Sequence, residues 1–267
     1  MEVKKEYYLF FDIDGTVLVD GKLPKEHARA MKAAQAVGHK LMICTGRSCG
    51  MFELVKDSVK EIPWDGAIFG GADIRFAGEI LSQKRFPSEV AFEWLEFCME
   101  NRYFFGYEGE KVFYPIKLHQ YQEPLEAAEK ARIRRWLRNE MENGNPPTKV
   151  AIFESRERLP REMIPMDLCD TIIHDHYVEV FAPGCSKGGA IVSFCEQKAI
   201  SLDQCVCFGD SLNDRSMFEV CPTSICMKNA PEELIRRSTY QAKSDFGVAE
   251  GIFWLFGENL PLTTSED

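Results

Sequence analysis

The sequence predicts an α/β fold: a parallel sheet covered by helices and interrupted by a smaller α+β module. Three observations carry this. Short apolar runs alternate with helical patterns across residues 1–82, the same rhythm returns from about residue 184, and between them the alternation lapses. At 267 residues the chain is long enough for two domains. The expected division is a core from residues 1–82 and 184–267, with the module at 83–183.

The first run, "YYLFF", is a strand candidate. "PKEHARAMKAAQAVG" follows as a helix, with Pro24 suited to its first turn and Gly38 to its end. "HKLMICT" is the next strand. "SCGMFELVKDSVKEI" reads as a second helix, because Phe52, Val55 and Val59 share one face. "DGAIFGG" is a third strand. After the module, "SKGGAIVSFCEQKAI" reads as a helix with Ile191, Phe194 and Cys195 inward. Strand "QCVCFGD", short helix "NDRSMFEVC", strand "TSICM" and helices "APEELIRRS" and "GVAEGIFWLFG" complete the pattern.

The module is richer in aromatic residues. "SEVAFEWLEFCMEN" is amphipathic, with Ala91, Trp94, Leu95 and Cys98 on one side and Ser88 as its N-cap. "EPLEAAEKARIRRWLRNEM" is a long helix, and "KVAIFES", "DTIIHDH" and "YVEVFAP" read as antiparallel strands. Trp94, Phe97, Phe104 and Phe105 are expected in the module's core.

The net charge of −10 argues against a nucleic-acid or anionic-membrane partner, either of which needs a basic face. No apolar stretch approaches the length of a membrane helix, and the N-terminus lacks the apolar core of a signal peptide. Ten cysteines are scattered, several within apolar runs, without paired Cys-x-x-Cys units. Reduced core thiols in a cytoplasmic protein are therefore expected. Nothing in the sequence specifies an oligomeric state.

The chemistry gathers at strand ends. "YLFFDIDGT" finishes an apolar strand with Asp12 and Asp14, two carboxylates that repel unless a cation or a proton intervenes. "GDSLND" puts Asp210 and Asp214 after another strand. Ligands of a parallel sheet bind beyond the carboxyl ends of its strands. If both strands are central, four aspartates converge, and magnesium, a hard ion that prefers oxygen, answers the repulsion. "ICTGRS" places Thr45 and Gly46 between a strand and a helix, where a hydroxyl and free amides suit a phosphate. "SKGGAI" puts Lys187 in a first helical turn, against the helix dipole, which implies a partner anion.

In this order, "DIDGT", "CTGR", "SKGGA" and "GDSLND" resemble the four motifs of the haloacid dehalogenase-like (HAD) phosphatase superfamily. The insertion between the second and third motifs resembles the Cof-type subgroup with a large α+β (C2B-type) cap. The resemblance spans nearly the whole chain. It implies a Rossmann-like core and a magnesium-dependent phosphatase of small phosphorylated metabolites, most readily sugar phosphates. By the same resemblance Asp12 is the nucleophile that forms an aspartyl-phosphate, and Asp14 is the general acid and base. Thr45 and Gly46 bind the phosphoryl group with Asn213, and Lys187 neutralises nucleophile and phosphoryl group. Asp210 holds magnesium with the Asp12 carboxylate and the Asp14 backbone carbonyl, and Asp214 supports the metal shell. The cap closes over the core and selects the substrate.

Two departures stand out. Cof-type proteins carry Asn-Gly-Ala after the third strand, whereas this chain has "FGGAD", with Gly70 in the asparagine's place. The usual Gly-Asn-Ala late in the chain is "KNA", with Lys228 for glycine. Arg47 is a candidate substrate contact. The run Arg132, Arg134, Arg135 and Arg138 reads as a solvated helix face, and His174, Asp175 and His176 as a surface strand. Two alternatives remain open: a phosphomannomutase-like phosphotransferase, which needs a basic cap face for a second phosphate, and a non-catalytic phosphometabolite-binding protein.

Overall fold

The computed structural model describes residues 5–114, 125–145, 147–153, 170–173 and 177–260. The chain forms two compact units. One comprises residues 1–46, 54–82 and 186–267; the other comprises residues 47–53 and 83–185.

Unit 1 is built on an eight-stranded sheet. Its strands are β1 (Tyr8–Phe11), β2 (Lys40–Thr45), β3 (Gly66–Phe69), β4 (Asp73–Phe76), β5 (Glu79–Gln83), β11 (Cys205–Gly209), β12 (Thr223–Cys226) and β13 (Tyr240–Gln241). Their order is β13-β12-β11-β1-β2-β3-β4-β5. All pairs from β13 to β3 are parallel, and β4 returns antiparallel to β3. β1 is thus central, flanked by β11 and β2, and every residue of it is buried. The strand order reverses at β1, where doubly wound sheets open their ligand crevice.

Alternation along β1 divides the core. Tyr8 and Phe10 join Phe194 of α5 (Lys187–Lys198), Met217 and Phe218 of α6 (Arg215–Val220) and Leu234 of α7 (Glu232–Arg237) in one apolar cluster. Phe11 faces the other way and stacks on Phe208 with ring centroids 4.6 Å apart. On that side α1 (Lys25–Ala36) packs against α8 (Gly247–Phe256). Pro24 caps the start of α1, and Gly38, at φ +104°, follows its end as expected.

The expected second helix is much shorter. α2 covers only Cys49–Phe52, followed by a separate turn of 3-10 helix at Lys56–Ser58. Of the three residues assigned to one face, Val59 alone is fully buried. Periodicity over that run therefore overstates a helix that breaks after one turn. The β4–β5 hairpin and β13 went unread because their short runs carry few apolar residues.

Unit 2 contains a five-stranded antiparallel sheet of β6 (Phe104–Glu108), β7 (Val112–Phe113), β8 (Lys149–Phe153), β9 (Asp170–Ile173) and β10 (Val178–Phe181), ordered β7-β6-β8-β10-β9. Helices α3 (Ser88–Glu100) and α4 (Ala127–Glu142) cover one face. The Tyr107 hydroxyl donates to the Ala91 carbonyl of α3, and Trp136 of α4 stacks 3.6 Å from Phe113. Pro87 rather than Ser88 caps α3. Trp94, Phe97 and Phe105 are buried as expected, whereas Phe104 is only half-buried. Strands β6 and β7 were not foreseen, because "FFGYEGEKVF" mixes aromatics with charge. Among the described residues no helix is long and apolar enough to cross a membrane, and the nine described cysteines are free thiols.

Candidate active site

Three adjacent strands deliver the predicted residues to one edge of unit 1. The chain leaves β1 at Asp12, whose amide still donates to Phe208 at 3.0 Å and so extends the ladder by one residue. β2 ends at Thr45, which is buried, and its carbonyl accepts from the Gly70 amide at 2.9 Å. β11 ends at Gly209 and releases Asp210. Lys187 opens α5 behind its N-cap Ser186, whose hydroxyl accepts from the Gly189 amide at 3.0 Å.

Lys187 organises the centre. Its ammonium donates to Asp12 Oδ1 at 2.6 Å, to Asp214 Oδ1 at 2.5 Å and to Asn213 Oδ1 at 3.4 Å. Lys187, Asp12 and Asp214 are all buried. A buried ammonium is tolerated only when paired this fully. Burial alone lowers the pKa of Lys187, but Asp12 and Asp214 outweigh it and raise it above the ordinary lysine value. The Asp12 pKa is raised as well: burial pushes it well above the carboxylate range, Lys187 opposes this, and Asp214 adds to it.

Asp214 is committed on both oxygens. Oδ1 meets Lys187, and Oδ2 accepts from the amides of Asp210 and Ser211 at 2.9 and 3.1 Å. It thereby fixes the turn that presents Asp210. Asp210 Oδ1 in turn accepts from the Thr16 hydroxyl at 3.0 Å. Burial, then the neighbouring Asp214, pushes the Asp210 carboxyl up to about 6, against the Thr16 hydrogen bond. Thr16 is the threonine of "DIDGT", a residue that the strand-end charge argument does not reach. Gly15 is required beside it, since it sits at φ +85° and a Cβ there would lie 2.4 Å from Asp210 Oδ2.

One oxygen each from Asp12, Asp210 and Asp214 lies within 4.8 Å of the others. Fully ionised, three carboxylates against one ammonium would carry an excess of two negative charges. An all-oxygen donor set of that charge fits a hard divalent cation. The Asp14 carboxylate stands outside this trio and is exposed to solvent.

Asn213 accepts from the Ser211 hydroxyl at 2.8 Å through Oδ1, which turns its Nδ2 toward Gly46, where a Cβ would lie 3.4 Å away. The structure therefore gathers Asp12, Thr45, Gly46, Lys187, Asp210, Asn213 and Asp214. Arg47 belongs to unit 2, where its Nη1 donates to the Met51 carbonyl at 3.4 Å. Gly70 sits at φ +56°, a left-handed conformation that asparagine also tolerates better than most residues. Lys228 is exposed and pairs with Asp245 at 3.0 Å. Arg134 makes two contacts of 2.5 Å to Glu96. His174, Asp175 and His176 lie outside the described residues.

The haloacid dehalogenase-like hydrolase family matches residues 9–252. The chain belongs to that family. It is 25% identical over 268 residues to the 5-amino-6-(5-phospho-D-ribitylamino)uracil phosphatase YwtE of Bacillus subtilis (strain 168), covering 88% of this chain and 92% of that protein. An HMP-PP phosphatase of Cronobacter sakazakii is 36% identical over 58 residues, covering 22% of this chain and 21% of that one. Among solved structures, the HAD phosphatase BT1666 of Bacteroides thetaiotaomicron matches with a TM-score of 0.76 at 19% identity, over 96% of this chain and 97% of that one. The subclass IIB sugar phosphatase BT4131 matches with a TM-score of 0.72 at 22% identity, over 94% and 99%. These structures share the fold of this HAD member, an α/β core with an inserted module.

Proposed function

We propose that this HAD-like phosphatase hydrolyses small phosphorylated metabolites, sugar phosphates foremost, through an aspartyl-phosphate on Asp12 with magnesium as cofactor. The observation that carries the reading is the meeting of Asp12, Asp210 and Asp214 around Lys187 at the carboxyl ends of β1 and β11. Phosphoryl transfer needs an in-line nucleophile and positive charge around the equatorial oxygens, and little else.

In this reading Asp12 attacks phosphorus, and the bond to the leaving oxygen breaks. The Asp14 carboxyl, open to solvent, delivers a proton to that oxygen and then takes one from the water that hydrolyses the acyl phosphate. Lys187 holds the Asp12 carboxylate in one orientation and balances charge on the transferred group. Thr45, the Gly46 amide and the Asn213 amide bind its oxygens. Asp12 and Asp210 with the Asp14 carbonyl would hold magnesium, and Asp214 keeps Asp210 in place. When bound, such an ion would supply positive charge that offsets the negative charge of the phosphoryl group.

Unit 2 is read as the cap that selects the substrate. The names of the relatives favour phosphorylated small molecules with a polyol or sugar part, since YwtE acts on a phosphoribityl compound and BT4131 is a sugar phosphatase. A mutase would need a basic cap face, for which the arginines of α4 would have to serve, and that alternative loses support because Arg134 is engaged by Glu96. The test is phosphate release from a panel of sugar phosphates, nucleotides, flavin mononucleotide and pyridoxal phosphate. Magnesium-dependent release ranked by kcat/KM, highest for sugar phosphates, is expected. A folded, magnesium-loaded protein that releases phosphate from none of them would sink the reading.

A further inference from the structure

Within unit 1, α5 opens with Lys187 and β11 ends at Gly209, beside the site. The other ends of the same two elements carry cysteines: Cys195 lies in the last turn of α5, and Cys205 opens β11. Their Sγ atoms are 3.3 Å apart, although ten positions separate them in the chain. A disulfide bond is about 2.0 Å long, so each sulfur need travel only about 0.6 Å to form one.

Both side chains are almost wholly buried, yet a short surface turn is all that joins them. Every residue from 196 to 204 is at least partly exposed. Ile200 and Leu202 of that turn pack on the apolar cluster that holds both cysteines, and Cys205 Sγ lies 3.9 Å from the Ser201 carbonyl oxygen. The turn starts at Ala199, which ends α5 at φ +55°. A residue with a Cβ is strained in that left-handed conformation, where glycine is the usual occupant.

The two thiols are not equivalent. The hydrogen bond with Cys205 lowers the pKa of Cys195 below the ordinary thiol value, against the effect of burial. The same contact, and then burial, raises that of Cys205. At Cys98, by contrast, burial alone pushes the thiol up. Cys195 is therefore the member of the pair that carries the negative charge, and the thiolate is the form that reacts with oxidants.

We propose that Cys195 and Cys205 are a redox modification site: hydrogen peroxide oxidises Cys195, and the pair closes to a disulfide that staples the end of α5 to the start of β11. Opening of the turn between them admits the peroxide. The Cys195 thiolate attacks one peroxide oxygen, the O–O bond breaks, and the departing hydroxide takes up the proton that Cys195 released. The Cys205 sulfur then attacks the sulfenic sulfur, the S–O bond breaks, and the second hydroxide takes the Cys205 proton. One peroxide is reduced to two waters as two thiols are oxidised to one disulfide. The staple stabilises unit 1 by restricting its unfolded chain. It lies about 12 Å along α5 from Lys187, at the end remote from the site.

The test treats the reduced full-length protein with hydrogen peroxide, blocks the remaining thiols with iodoacetamide, digests with trypsin and maps crosslinks by mass spectrometry. Cleavage after Lys187, Lys198 and Arg215 puts the two cysteines on separate peptides, 188–198 and 199–215. The expected product is these two peptides joined and lighter by two hydrogens, with fragmentation placing the bond at Cys205 and not at Cys207. The oxidised protein is expected to melt about 5 °C higher, and dithiothreitol reverses the rise. Cys195→Ala and Cys205→Ala each abolish both the crosslink and the rise. The wild-type map reads the bond directly, so it decides the matter even where a variant fails to fold. Cys195 recovered as a free thiol or as a sulfinic acid, or joined to Cys207 instead, overturns the proposal. A crosslink that leaves Tm unchanged overturns the staple.

Discussion

The Lys187 ammonium and the Asp12 carboxylate meet at 2.6 Å inside the sheet edge, although 175 positions separate them in the chain. Lys187 cannot lose this partner cheaply, nor Asp12 its own, because both are almost wholly buried. Replacing Lys187 by methionine leaves Asp12 and Asp214 buried against each other. The expected cost is about 3 kcal/mol of stability, read as a lower Tm, together with a loss of about 10²–10³ in kcat/KM from the missing charge on the phosphoryl group. Full activity in the methionine variant would remove Lys187 from the reaction.

Asp210 owes its position to Asp214 and Thr16 and offers one of three converging carboxylates. Asp210→Asn is expected to weaken magnesium binding by at least about tenfold. A titration of magnesium against Tm measures this without reference to turnover, since an ion bound only by the folded state raises Tm. Equal magnesium responses in the variant and the wild type would place the ion elsewhere.

Much of this site was legible in the sequence, for physical reasons that differ by residue. Asp12 and Asp210 could be read because a buried strand that ends in charge has few explanations. Lys187 could be read because a lysine in a first helical turn opposes the dipole. Thr16 was passed over, since a threonine in a turn reads equally well as local capping. Cys195 and Cys205 were legible as core thiols but not as a pair, because ten positions separate them and only the turn between α5 and β11 brings the sulfurs together. The short α2 escaped for a related reason: its periodicity is real, but the chain is held by tertiary bonds at Ser48 and Gly50 rather than by a helical face.

His27 gives the fold a pH dependence away from the carboxylates. It is fully buried in α1 and its Nδ1 bonds the Val17 carbonyl at 3.0 Å, bracing the loop that follows Asp14. Burial lowers its pKa below the ordinary histidine value. The folded state holds the ring neutral, while the unfolded chain takes up a proton below about pH 6.5. His27 therefore leaves stability intact above that pH and erodes it as pH falls toward the lowered folded value. Glutamine at position 27 can still donate to Val17 but does not titrate. The Tm of His27→Gln is expected to fall less than that of the wild type between pH 7 and pH 5, and parallel curves would refute the assignment.

The most direct measurement is to trap the intermediate on Asp12. An acyl phosphate is reduced by borohydride, which converts the phosphorylated aspartate to homoserine. The protein would be quenched with borohydride during turnover of a sugar phosphate with magnesium, digested, and mapped by mass spectrometry. Homoserine at position 12, absent without substrate or with chelator, is the predicted result. Phosphate release that proceeds at full rate with Asp12 never modified would contradict the account.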